Sequence, residues 1–206
     1  MTLPSHIARY DSVDLLDLDQ TPFLLVTRPT GATLRAWSKA EEAERRWTMF
    51  DWATFVIHDQ NRNVSLMTDF ASAYLLSFEA GLQVLKEECF SNAGAFEAWL
   101  ADQPLYDLET RGLRTLRHLE AHIRPGVLSV QPAAAAASRF SGPSIGGTIA
   151  WQWEPTTPKD LASLKYPKIT VDELPTWNTR SAELLVLGLM RHGLTVLNAL
   201  LVAAGP

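Results

Sequence analysis

The longest apolar run in the chain, residues 182–204, sets the terms for the rest of the fold. At the rise of an α-helix it is long enough to span a bilayer. Arg191 and His192 stand at its middle, however. A central arginine is costly in lipid, and no basic flank marks an inner end. The run therefore reads as a buried core helix, with no membrane partner. Apolar residues make up 47 % of the 206-residue chain, so a sizeable core can be built around it and wholesale disorder is excluded.

Other helices follow from apolar residues recurring at helical spacing. Ser38 followed by Glu41 forms a capping-box pattern. Beyond it Ala43, Trp47, Phe50, Trp52, Phe55 and Val56 predict a helix over about 38–57. Phe70, Ala73, Tyr74, Phe78, Leu82 and Leu85 predict a second over about 68–88. A short third fits 95–101, and a fourth fits 106–123, stopped by Pro125-Gly126. The last runs from Ser181 or Glu183 to Ala204.

Two stretches lack this texture. Residues 1–37 read as irregular, apart from a short apolar run, Phe23-Leu24-Leu25-Val26, that suits a strand or edge. Residues 127–180 hold most of the remaining prolines, a run of alanines and two glycine clusters. Within them Ile149-Ala150-Trp151-Gln152-Trp153 alternates like one arm of a small hairpin, and 138–147 suits a mobile loop. Trp151 and Trp153 share one face of that strand, where packing on the bundle is favoured over stacking a base. The expected architecture is a single all-α domain over 1–206, a helical bundle with a loop-rich insertion at 127–180 before its last helix.

The lone cysteine, Cys89, excludes an intramolecular disulfide and suits a reducing cytoplasm. Its neighbours Glu87 and Glu88 argue against a reactive thiolate. The N-terminus carries no charged region followed by an apolar core, so a cytoplasmic location is expected. The net charge of −5 is wrong for gripping a long duplex. Contact with nucleic acid must come from a local basic patch, which can hold a short RNA segment.

One such patch exists. Residues 105–124 read LYDLETRGLRTLRHLEAHIR. Projected at 100° per residue, Leu105, Leu108, Leu116, Leu119 and Ile123 form a core stripe. Arg111, Arg114, His118 and His122 share a neighbouring arc, with Arg117 further round and Arg124 just beyond. Clustered arginines repel unless anions or acids sit nearby. Beside guanidinium groups an imidazole's protonated form is disfavoured, which suits a general base near neutral pH. Arginines can hold phosphate oxygens by bidentate, charge-assisted bonds. An imidazole and an anion holder together are the minimum for cutting RNA without a metal. Glu79, a carboxylate on a mostly apolar helix, wants a partner: it can pair with Arg114 or Arg117 and orient it, an exposed position being the equal alternative.

The stretch Arg117-His118-Leu119-Glu120-Ala121-His122 resembles the active-site motif of the HEPN superfamily, in which Arg precedes His by four to six residues at a helix end. The residue after the Arg is typically Asn, His or Asp, and His118 fits that place. The resemblance implies a HEPN-like bundle and a metal-independent endoribonuclease leaving a 2′,3′-cyclic phosphate. Arg117, His122 and His118 would be catalytic, while Arg111, Arg114 and Arg124 would bind RNA phosphates. It also implies a homodimer with a composite site, acting as a toxin with an antitoxin or as an antiviral defence effector with partner proteins. In nucleotidyltransferase-paired toxins a Tyr commonly stands two residues after the motif His, and here that place holds Arg124. No cofactor is expected. His118 and His122 have i,i+4 metal-ligand spacing, but Glu stands at the third position of the pattern and the arginines oppose a dication, so no metal is expected either. The competing reading is a non-catalytic helical module of the same fold that binds a partner protein or a nucleotide.

Overall fold

The computed structural model describes residues 33–56, 60–122, 130–132 and 151–204. The expected strand at 23–26, the loop at 138–147, Pro125-Gly126 and Arg124 lie outside the described residues. The described residues form helices α1 (Leu34–Val56), α2 (Gln60–Cys89), α3 (Ala93–Ala101) and α4 (Leu108–His122), strands β1 (Val130–Pro132) and β2 (Trp151–Trp153), then α5 (Pro158–Ala162) and α6 (Leu174–Ala204). The all-α class is as the periodicity predicts.

The apolar stripes explain the packing. Phe50 and Ala43 of α1 and Tyr74, Phe78, Leu82 and Leu85 of α2 are fully buried. Trp52 is a correction, since it is exposed on the outer side of α1. The capping box at Ser38 is a second correction. Helix α1 already starts at Leu34, because Ala36 is buried in the core and Trp37 packs against it, extending the stripe by a turn. Likewise α2 starts at Gln60 rather than near 68, with Val64 and Met67 continuing its inner face.

Helix α6 touches α1, α2, α4 and β2, so the run that opened the sequence reading lies at the centre of the bundle. It is also long and apolar enough to cross a membrane, and it buries Leu189, Met190, Leu194, Val196, Leu197, Leu200 and Leu201. Its start is earlier than expected. Pro175 sits in the first turn, where a missing N–H is harmless, and Trp177 and Ser181 are buried there. The helix kinks at Leu185, whose φ of 60° and ψ of 176° lie in a region that glycine alone adopts readily.

The described part of the insertion holds more regular structure than its prolines suggest. Strands β1 and β2 pair antiparallel, with Val130 opposite Trp153 and Pro132 opposite Trp151. Trp151 and Trp153 are buried, so they pack on the bundle and are not stacking platforms. Helix α5 was not anticipated. Thr157 caps it, accepting from the Asp160 N–H while Asp160 accepts from the Thr157 N–H, and Pro158 opens its first turn.

Two glycines let elements approach closely. A Cβ at Gly112 would lie 2.1 Å from the Trp177 ring, which seats α6 on α4. At Gly193 it would lie 2.5 Å from the Tyr74 hydroxyl, which donates to the Met190 carbonyl at 2.6 Å. Gly112→Ala is expected to destabilise the fold by at least ~1–3 kcal/mol through overpacking. In a Trp177→Leu background the same change should cost much less. Urea midpoints of the four proteins in this cycle measure the coupling, and equal penalties in both backgrounds would refute the contact.

Candidate functional site

Helix α4 carries most of the residues singled out from sequence. Asp107 caps it, accepting from the Thr110 N–H at 3.0 Å, and the His192 ring of α6 lies 3.0 Å from the same carboxylate oxygen. Burial raises the Asp107 carboxyl, but the bonds from His192 and Thr110 outweigh it and hold it below the usual carboxylate range. Glu109 in the first turn pairs with Arg180 of α6 at 2.9 Å. Leu113, Leu116 and Leu119 face the core, while Leu105 precedes the helix and is exposed.

Arg114 corrects the expected open basic face. Its side chain is only 5 % exposed. Its Nε and Nη2 donate to Glu79 of α2, each at 3.2 Å. Its Nη1 and Nη2 donate to Glu97 of α3 at 3.2 and 3.1 Å, and Nη1 also donates to the Tyr106 hydroxyl at 2.6 Å. A guanidinium has five N–H donors, and all five are used. Arg114 therefore has nothing left for a phosphate, which sets aside its expected phosphate-binding role. Burial works against its charge, but Glu79, Tyr106 and Glu97 more than compensate and hold its proton more tightly than usual.

Arg111 is also engaged. It donates to both carboxylate oxygens of Glu173, at 2.7 and 3.2 Å, and to the Lys168 carbonyl at 3.3 Å. The Lys168 N–H donates to Thr115 Oγ1 at 3.2 Å, and its Nζ donates to Glu97 at 3.1 Å. Residues 164–173 thus lie as a strap along the arc of α4 on which Arg111 and Thr115 project. The strongly electropositive face expected from clustered arginines is correspondingly weakened, because two of them carry compensating carboxylates.

The remaining site residues lie toward the C-terminal end of α4. Arg117 is half-buried, with no hydrogen bond or ion pair among the described residues. His118 Nε2 lies 4.0 Å from Glu79 Oε1, too far for a hydrogen bond but within ion-pair range. Glu79 does pair with Arg114, as its place in an apolar helix suggests, and it faces His118 as well. His122 closes α4, and its side chain lies outside the described residues. Among the described residues no group of three or more His, Cys, Asp and Glu is placed to hold a metal. Burial, then the charge of Glu88, raises the Cys89 thiol above its ordinary value, so it is not a ready nucleophile.

Sequence reasoning missed Glu97, Tyr106, Lys168 and Glu173. Glu97 carries the same signal that drew notice to Glu79, a lone carboxylate in an apolar helix, AFEAWLA. Glu173 stands three residues after Thr170, a capping-box spacing. No family model, no curated protein and no solved structure matches this chain, so the HEPN resemblance rests on the motif and the helical pattern around it.

Replacing Arg114 by Met should cost about 3 kcal/mol, since it strands two carboxylates that reach solvent only in part. Arg117→Ala should stay within roughly 0.5 kcal/mol of wild type. Thermal or urea unfolding separates the two. The pH dependence adds a second test. Burial raises the Glu97 carboxyl, but Arg114 and Lys168 reverse this and hold it below its unfolded value. Its contribution is therefore complete above about pH 4.3 and is lost as pH falls through the lower, folded value. In Arg114→Met that acid-side loss should shrink. An unchanged acid limb would argue against the pairing.

Proposed function

We propose that this chain is a metal-independent endoribonuclease of HEPN type, with Arg117, His118 and His122 as its reacting groups. One observation carries the reading. A single turn of α4 presents an arginine without a partner among the described residues, beside a histidine that faces a carboxylate fixed by a saturated, buried guanidinium. Glu79 can then hold the imidazolium that forms when His118 takes a proton, much as a buried carboxylate supports a catalytic histidine elsewhere.

The chemistry needs three things. One imidazole takes the proton of a ribose 2′-hydroxyl, whose oxygen attacks the adjacent phosphorus. Arg117 neutralises the charge that grows on the phosphate oxygens. The bond to the 5′ oxygen breaks as that oxygen gains a proton from the second imidazole. The products are a 2′,3′-cyclic phosphate and a 5′-hydroxyl. On an ideal helix Arg117 and His122 point about 140° apart. A homodimer that brings two α4 ends together lets Arg117 of one copy serve a phosphate held by His122 of the other. The cellular role that suits this reading is a toxin or defence effector restrained by a partner protein in the cytoplasm.

The second reading is a non-catalytic helical module that binds a partner protein or a nucleotide. The engagement of Arg111 and Arg114 by carboxylates favours it, because it leaves fewer cations for RNA.

Incubation with single-stranded RNA in EDTA decides between them. The nuclease reading expects cleavage with cyclic-phosphate ends and a loss of roughly 10²–10³-fold in Arg117→Ala. His122→Ala should fall at least as far, with the helical circular dichroism of both variants unchanged. Induced expression of wild type should slow growth more than the double variant. Intact RNA with well-folded wild type would leave the binding module standing.

A further inference from the structure

The carboxylate of Glu173 sits in a cradle of donors. Oε1 accepts from Arg111 Nη2 at 2.7 Å. Oε2 accepts from Arg111 Nη1 at 3.2 Å, from the Thr170 N–H at 2.8 Å and from Thr170 Oγ1 at 3.1 Å. A forked guanidinium, a backbone N–H and a hydroxyl converging on one anion are the donor set that proteins use for a phosphate oxygen pair. Arg111 and Glu173 are 29 % and 31 % exposed, so the cradle opens to solvent and its occupant can leave without unfolding the core. Its floor is fixed by other bonds. Lys168 is held to Thr115 of α4 through its N–H and to Glu97 through its Nζ, and Ile169 beside it is buried.

The location gives the cradle a use. Arg111 lies on the same arc of α4 as His118, roughly two turns from it, and Thr115 between them is buried under the strap. An RNA strand with one phosphate at His118 and a path toward Arg111 would cross over the strap rather than follow α4 itself. A phosphate further along that strand would meet Arg111 where the Glu173 carboxylate now sits.

We propose that Arg111 and Thr170 form a self-masked phosphate subsite, in which the Glu173 carboxylate is a built-in competitor that a backbone phosphate of single-stranded RNA displaces. The proposal rests on the reading that this face of α4 meets RNA, and it adds a device that keeps the face closed to weak or short ligands. Glutamate also completes half of a capping box with Thr170 ahead of α6. Glutamine can do the same, so Glu173→Gln removes the competing charge and keeps the local turn.

Binding is measured with 2′-O-methyl RNA, which keeps the phosphates and lacks the nucleophile, and cleavage with ordinary RNA. Glu173→Gln should bind the 2′-O-methyl strand about three- to five-fold more tightly than wild type, the scale of a partly exposed ion pair. Adding Arg111→Ala should remove that gain and lower the salt slope by about 0.7, the loss of one phosphate contact. In unmodified protein, carbon-detected titration of the Glu173 carboxyl should move upward when the RNA analogue is added, because Arg111 no longer holds it. This readout needs no variant to fold. Unchanged affinity in Glu173→Gln together with an unmoved Glu173 titration overturns the subsite, and wild-type cleavage in that case leaves the nuclease reading intact. Tighter binding by Glu173→Gln with no cleavage by any protein keeps the subsite and removes the nuclease. No binding by any of them removes both.

Discussion

A single buried guanidinium governs how this bundle closes. Arg114 joins α4 to α2 through Glu79, to α3 through Glu97 and to the segment before α4 through Tyr106. Taking a charge out of water costs several kcal/mol, and only near-complete satisfaction of its donors offsets that. Arg114 meets the condition because its planar fork offers fixed directions, and two carboxylates and a phenol lie along them. A lysine at this position has three donors and no fork, so it cannot bridge both carboxylates in the same way. The arrangement also fixes Glu79, and through Glu79 it fixes what His118 faces. A network that reads as stability is thus the same network that sets the surroundings of the candidate site.

The seating of α6 is the second condition. Its two halves are pinned by different partners. The first half packs Trp177 onto Gly112 and pairs Arg180 with Glu109. In the second, Met190 accepts from Tyr74 and Leu187 accepts from Trp47, above a core of leucines. Between the two sets of contacts the helix kinks at Leu185, in a backbone conformation worth about 1–3 kcal/mol of strain. The strain persists because each half is over-determined by its own contacts. Arg191, midway along this helix, is half-buried, and its burial lowers its hold on its proton.

What was legible in the sequence follows from which forces are local. Apolar periodicity located the bundle helices and the buried face of α2, because each stripe is written within a few turns; on α4 it found Leu116 and Leu119 but took exposed Leu105 for core and passed over buried Leu113. The alternation around Trp151 and Trp153 located one arm of the hairpin for the same reason. Helix starts were read less well. Ser38 looked like a cap, yet Ala36 and Trp37 had core to pack against and carried the helix past it. Pro175 looked like loop punctuation, though a proline in a first turn is equally a helix opener. The largest misreading was electrostatic. A helical wheel puts Arg114 on a polar arc, but whether that arc faces water or two carboxylates from other helices is a tertiary fact. Glu79 was recognised because an isolated acid in an apolar helix demands a partner. Glu97 made the same demand, and its answer was the same arginine.

The division of labour among the arginines follows from this geometry. Arg114 is spent on the fold, and Arg111 holds the strap through Glu173 and the Lys168 carbonyl. Both therefore contribute little net positive field to the surface, in keeping with a chain whose overall charge is negative. Of the arginines of α4, Arg117 is the one with no hydrogen bond or ion pair among the described residues. A site built this way would depend on one arginine without a partner among the described residues and on its place along α4. Its chemistry would be more sensitive to the register of α4 than to the number of positive charges on it.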